Sequence, residues 1–254
     1  MAAHILSPAA PAPVRIGCSG WIYKHWRGLF YPQGLPVKHW FAQYAAEFAT
    51  VEINNSFYRL PKPETFDGWR GQAPQGFRYA VKAHRYITGA KKLKDCEEPV
   101  GNIMAPIRRL GPTLGPVLYQ LPPRFRLNLD RLERFLEIVP RDVTNIFEFR
   151  DASWYDDRVF AALERAGAGF CSHDMPGSKS PRLAIGPAAY VRFHGGEGKY
   201  WGRYSDECLL DWTDWLLDQA RQGREVWAYF NNDAEAHAVH DARTLQAMVR
   251  QMQR

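Results

Sequence analysis

The segment VEINNSFYRLP, residues 51–61, decides how this chain is read. Val51 and Ile53 alternate with Glu52 and Asn54, so a strand here carries apolar side chains on one face and a carboxylate and an amide on the other. A strand covered by a helix on its apolar side has use for such a second face when that face looks into a shared interior. The same alternation recurs in FRYAVKAH (77–84), where Phe77, Tyr79, Val81 and Ala83 leave Lys82 and His84 on the opposite side. NIFEFR (145–150) sets Phe147 and Phe149 against Glu148 and Arg150, and YVRFHG (190–195) sets Val191 and Phe193 against Arg192 and His194. Gln120 in PVLYQL, Asp174 at the end of GFCSHD, and Tyr229 and Asn231 in EVWAYFNN extend the inward set. That register leaves Cys171 and His173 on the outward parity.

With RIGCSG (15–20), these runs make eight short β-rich segments, each followed by a stretch of helical period. The helical stretches include VKHWFAQYAAEF (37–48), NLDRLERFLEIV (128–139), DDRVFAALERAG (156–167), SDECLLDWTDWLLDQARQG (205–223) and DAEAHAVHDARTLQAMVRQ (233–251). Asn128 or Asp130, Asp156, Ser205 and Asp233 are the candidate caps. Strict alternation predicts parallel strands with helical crossovers, and eight units predict a single (β/α)8 TIM-barrel-like domain, a closed parallel sheet inside a ring of helices. Two segments break the rhythm. Residues 85–102 are too long for an ordinary connection and read as a binding loop or lid, and residues 175–187 are too short and too rich in Pro and Gly for a full helix.

A chain of 254 residues with 46% hydrophobic and 24% charged residues can bury a large core. Its net charge of +6 favours anionic partners, but no Lys/Arg block stands out, so folding must assemble any anion site. Cys18, Cys96, Cys171 and Cys208 are far apart without C-x-x-C spacing, which argues against a structural zinc site or a disulfide framework and makes a reducing cytoplasm the expected setting. Residues 1–14 read as a disordered Pro/Ala-rich tail and 15–254 as the domain. No run of about 20 apolar residues occurs, so no membrane partner is expected.

The motifs IGCSGWIYKHWRGLFYP (16–32), TVEINNSFYRLP (50–61), FRYAVKAHRYIT (77–88), LGPVLYQLPPRF (114–125), FEFRDASWY (147–155), AYVRFHGG (189–196), RYSDECLLDW (203–212) and YFNNDAEAHAVHDARTL (229–245) together resemble the family called domain of unknown function 72, or YecE-like. The resemblance runs from about Arg15 to the last helix. It implies a TIM-barrel-like fold and, because the family's activity is not established, no particular reaction. Gly89 departs from the pattern, since relatives often carry His there.

The inward residues gather at the carboxyl end of the barrel, where barrel enzymes place their chemistry. Buried charges need partners, so Glu52, Glu148 and Asp174 are expected to balance Lys82, Arg150 and Arg192. A cationic mouth with Tyr58, Trp154 and further aromatic residues in its loops suits an anionic, phosphate-bearing ligand: a nucleotide, a nucleic-acid segment or a sugar phosphate. In an enzyme, Glu52 or Glu148 would act as general base or acid and His194 as proton shuttle, with the three cations stabilising developing negative charge. Asn54, His84, Gln120, Asn231 and Asn232 would orient the ligand. A phosphoester hydrolase fits these roles, and a non-catalytic nucleic-acid or small-anion barrel is the alternative. No cofactor is predicted; a divalent metal, if present, would use Glu148, Asp174 and His194. Glycoside hydrolysis is a minor alternative, because the fourth and seventh strands end in Gln120 and His194 where barrel glycosidases set carboxylates. The oligomeric state is not legible in the sequence.

Overall fold

The eight apolar runs fold as eight parallel strands: β1 Val14–Cys18, β2 Thr50–Ile53, β3 Arg78–Lys82, β4 Leu114–Leu121, β5 Asn145–Phe149, β6 Gly169–Asp174, β7 Ala188–Phe193 and β8 Glu225–Phe230. The computed structural model describes residues 10–253. The helices are α1 Trp40–Ala45, α2 Asn55–Tyr58, α3 Pro63–Gln72, α4 Glu97–Ile107, α5 Leu129–Ile138, α6 Asp157–Ala166, α7 Asp206–Arg221 and α8 His237–Met252. The strands are hydrogen-bonded in the order β1-β8-β7-β6-β5-β4-β3-β2, a single barrel-shaped sheet that is nearly closed.

Side chains at the sequence-predicted caps start three helices. Asn128 accepts from the Arg131 N–H, Asp156 from the Arg158 N–H and Ser205 from the Cys208 N–H. Gly167, at φ 66°, ends α6 in the left-handed conformation that a residue with a Cβ adopts at a cost. Asp233 is not the cap of α8. A 3-10 turn at Ala234–Ala236 intervenes, and the Asp233 carbonyl instead accepts from the indole N–H of Trp26, tying the last unit to the first. Residues 175–187 hold no helix, as their Pro/Gly content predicts, whereas the long third connection is partly ordered: Tyr86–Ala90 form a π turn and α4 begins at Glu97. Residues 1–9 of the expected tail lie outside the described residues. The Ala12 N–H already donates to the Ala220 carbonyl and β1 begins at Val14, so the barrel takes up the chain slightly earlier than expected. Among the described residues, no helix is long and apolar enough to cross a membrane.

Two layers of packing place the site. Outward residues such as Phe147, Phe149, Phe193 and Phe230 join the helices in one large apolar cluster. Inside, Ala80, Leu118, Ile146, Cys171, Ala188, Tyr190, Trp227 and Tyr229 fill the barrel. The charged residues stand toward the carboxyl ends of the strands, above this plug.

Between β1 and β2 the strands come close without a backbone ladder. The Tyr44 hydroxyl from α1 fills the seam: it accepts from the Cys18 N–H at 2.8 Å and donates to the Thr50 carbonyl at 2.9 Å. Gly17 permits this approach, since a Cβ there would lie 2.3 Å from the Thr50 oxygen. Tyr44→Phe would leave a buried N–H and a buried C=O unpaired, and should cost ~2–4 kcal/mol. Urea unfolding checks this; a loss below ~0.5 kcal/mol would show that the phenol does not hold the seam.

Candidate functional site

Parallel register assembles the site. Pairing aligns Gln120 with Glu148, His173 with Arg192, and Arg192 with Tyr229, so these side chains share the interior. Glu52, fully buried on β2, accepts from the Ser19 hydroxyl at 2.8 Å, the Tyr190 hydroxyl at 2.6 Å and Arg192 Nη2 at 2.9 Å. Glu148, fully buried on β5, accepts from Gln120 Nε2 at 2.9 Å and Arg192 Nη1 at 2.8 Å, and its second oxygen pairs with Arg150. One guanidinium therefore spans both carboxylates. Burial opposes ionisation of Glu148, but Arg150 and Arg192 overcome it and hold the carboxyl well below the usual range.

His194 Nε2 lies 2.7 Å from Arg150 Nη2 and 3.4 Å from Arg192 Nη1. Because guanidinium nitrogens only donate, Nε2 accepts, and the ring is neutral with its proton on Nδ1. Burial, reinforced by Arg192 and Arg150, pushes its pKa well below the ordinary imidazole value. His173, expected outward, points in with Nδ1 3.9 Å from Glu148, and burial lowers its pKa to about 4.

Lys82 differs from the two arginines. It is 7% exposed, its Nζ sits 3.9 Å from the centre of the Phe57 ring, and it forms no ion pair among the described residues. Burial, and next Arg192, lower its pKa to about 7. Asn54, which follows β2, is half-buried with an unpartnered side-chain oxygen among the described residues. Gln120 and Asn231 are also half-buried, and the Arg150 side chain is 6% exposed. Tyr58 is exposed on the rim, and His84 Nε2 donates to its carbonyl at 3.2 Å while lining a surface cavity of about 300 Å³ with Leu60, Tyr86 and Ile103.

Three expected site residues face elsewhere. Asp174 aligns with Phe193 and points outward, where Lys179 Nζ pairs with it at 2.9 Å. GFCSHD lacks an apolar/polar alternation to fix its register; the bulky Phe170, which shares the parity of Asp174 and packs against the helices, was the signal. Asn232 is fully buried and donates to the Gly202 carbonyl and the Asp241 carboxylate, fastening a loop to α8. Trp154 is core: it stacks on Phe149 at 4.8 Å and its indole N–H donates to the Phe125 carbonyl. The set Glu148, Asp174 and His194 is thus not assembled as metal ligands, and no group of three such side chains gathers among the described residues. Ser19, Tyr190 and His173 belong to the site although sequence reasoning did not select them. Tyr190 shared the inward parity of Arg192, and Ser19 that of Gly17.

The fold and this arginine-bridged mouth define a parallel eight-stranded barrel with a polar carboxyl end. The family model described as Protein of unknown function DUF72 matches residues 15–254, and the chain belongs to that family. UPF0759 protein YunF of Bacillus subtilis (strain 168) is 24% identical over 266 residues, covering 91% of this chain and 93% of that protein. UPF0759 protein YecE of Escherichia coli (strain K12) is 32% identical over 114 residues, 44% of this chain and 42% of that protein. A crystal structure of a DUF72 family protein from Thermotoga maritima MSB8 matches with a TM-score of 0.84 at 27% identity, covering 93% of this chain and 99% of that one. A second, from Enterococcus faecalis V583, shares the fold with a TM-score of 0.80 at 20% identity, over 94% and 96% of the two chains.

Two substitutions test the electrostatics. Arg192→Met leaves buried Glu52 without a cation and Glu148 with Arg150 alone, and should destabilise by roughly 3–5 kcal/mol in urea unfolding; a loss under ~1 kcal/mol would mean that the pairs do not support the barrel. Lys82 acts in the opposite sense. The unfolded chain holds this proton up to about pH 10.5, whereas the folded protein releases it near 7, so stability rises with pH over that interval. Lys82→Met should therefore be more stable than the wild type by ~2–5 kcal/mol at neutral pH, the gap closing as pH rises. A gap that is constant with pH would place an ordinary lysine at this position.

Proposed function

We propose that the barrel mouth binds an anionic small molecule bearing a phosphate or carboxylate, a sugar phosphate or nucleotide being the chemistry that fits best. The observation that carries this reading is a charge imbalance. With Asp174 turned outward, two carboxylates, Glu52 and Glu148, face three cationic side chains, Lys82, Arg150 and Arg192. Both acids are engaged by Arg192, which leaves the Lys82 amine uncompensated and Arg150 with an unpartnered Nε among the described residues. An incoming anion would supply the missing charge. Asn54 and Gln120 would orient it, and the exposed rings of Tyr58 and Tyr200 at the rim offer faces for a base or sugar.

The reaction class that suits the site is acid–base chemistry on such a ligand, phosphoester hydrolysis included. In this reading Glu52 and Glu148 fix Arg192 and Arg150, the arginines stabilise charge developing on the ligand, and the free-amine form of Lys82, whose pKa lies at about 7, takes up the proton. A non-catalytic anion-binding barrel is the second reading, favoured by the engagement of both acids with donors and cations and by the low basicity that Arg150 and Arg192 leave to Glu148. A cytoplasmic setting belongs to the proposal and is supported by four cysteines that all remain free.

Calorimetric titration of the protein with inorganic phosphate, ribose 5-phosphate and a short single-stranded oligonucleotide tests the site. Arg150→Met should weaken phosphate-type binding about tenfold or more, the loss of one charged hydrogen bond. Oligonucleotide binding, if it occurs at the same mouth, must also fall steeply with salt. Affinity unchanged in a folded Arg150→Met variant would remove the mouth as the anion site.

A further inference from the structure

We infer that Lys82 presents its side-chain amine as a nucleophile that forms an imine with a carbonyl compound carrying negative charge, such as a 2-oxo acid or an open-chain sugar phosphate. The inference rests on the anion-binding reading for the ligand's charge alone; the reactivity of the amine follows from its own surroundings.

Lys82 ends β3 on the inward face and is nearly enclosed, with its Nζ over Phe57 and no carboxylate paired to it among the described residues. The charged groups that face it are Arg192 from β7, Glu148 from β5, Glu52 from β2, and Arg150 after β5. Both acids are already committed to guanidinium groups. Three cations cannot share this enclosure cheaply, and two of them cannot release a proton, because guanidinium stays charged in proteins. The lysine is the member that gives way. Burial, and next the charge of Arg192, bring its pKa to about 7, so that about half the molecules hold a free amine at neutral pH. A desolvated lysine beside another cation is the environment that activates an amine toward carbonyl carbon. Among the described residues no other lysine is buried.

The chemistry balances without a redox partner. The Nζ lone pair attacks the carbonyl carbon, the C=O π pair moves to oxygen, and that oxygen gains a proton while nitrogen loses one, giving a carbinolamine. Loss of the hydroxyl as water, driven by the remaining nitrogen lone pair, gives the imine; amine plus carbonyl yields imine plus water. Protonation of the imine restores a cation at the position of Lys82, and the ligand's own anionic group pairs with Arg150.

Reductive trapping tests this. The full chain is incubated with glyoxylate, or with acetaldehyde as a neutral counterpart, and sodium cyanoborohydride, and the modified lysines are located by peptide mass spectrometry across a pH series. Lys82 should be labelled at least about tenfold faster than any surface lysine at neutral pH, with half-maximal rate near pH 7 and glyoxylate outpacing acetaldehyde. Lys82→Arg and Lys82→Met should each lose the fast phase and keep the slow surface labelling; the second variant guards against a folding defect in the first. An unlabelled Lys82 peptide alongside labelled surface lysines, or a fast phase that survives both substitutions, overturns the inference. Equal rates for the two aldehydes at Lys82 would uphold the reactive amine and count against the anion-binding mouth instead. Phosphate binding that is lost in Arg150→Met while Lys82 stays inert would leave the anion site standing and remove the amine's role.

Discussion

The guanidinium of Arg192, held between Glu52 and Glu148, is the constraint on which this barrel depends. It brings a carboxylate from β2 and another from β5 to one residue of β7, so strands that are not neighbours in the sheet are fixed by a single side chain. Removing three charges from water costs several kcal/mol per ion, and a packed apolar plug would serve stability at least as well. Every polar position of Glu52 is nonetheless matched, by Ser19, Tyr190 and Arg192, which makes the arrangement rigid and gives it one geometry. We read that rigidity as preorganisation of a site, because the same interior just below is filled by ordinary apolar packing.

The pairing also sets the behaviour of its neighbours. Once Arg192 and Arg150 occupy both acids, the imidazole of His194 is left beside fixed positive charge and stays neutral, and the amine of Lys82 has no counterion among the described residues. Arginine and lysine diverge here for a chemical reason: the guanidinium keeps its proton in any enclosure, whereas the ammonium can yield its own. Surplus charge in the ring is therefore expressed as altered basicity at one position. The parts of the barrel far from the ring are held differently, as at the β1–β2 seam, where a phenol from α1 stands in for a backbone ladder.

Membership of the DUF72 family and the agreement with solved structures of that family fix the architecture without fixing a reaction. The polar mouth has to be read from its own chemistry. In that reading Glu52 and Glu148 change role relative to the sequence expectation. Both are engaged by cations and, for Glu148, the adjacent arginines hold the proton off, so they position cations and leave proton transfer to Lys82.

Alternation alone determined much of this protein. Val51 and Ile53 against Glu52 and Asn54, Phe147 and Phe149 against Glu148 and Arg150, and Val191 and Phe193 against Arg192 and His194 each have one possible partition between a helix-covered face and an interior, and eight such units admit a parallel barrel. Tertiary structure decided the rest. GFCSHD has small or polar residues on both parities, so its register came from pairing with β7, which turned His173 inward and Asp174 out. Trp154 and Asn232 sit next to inward positions, yet their direction depends on a turn and on a contact with α8, which one-dimensional periodicity does not encode. The same holds for the convergence of Ser19, Tyr190 and Arg192 on Glu52. A strand's sequence says which face a side chain occupies; which charges meet across the barrel depends on stagger and closure, and these exist only once all eight strands are in place.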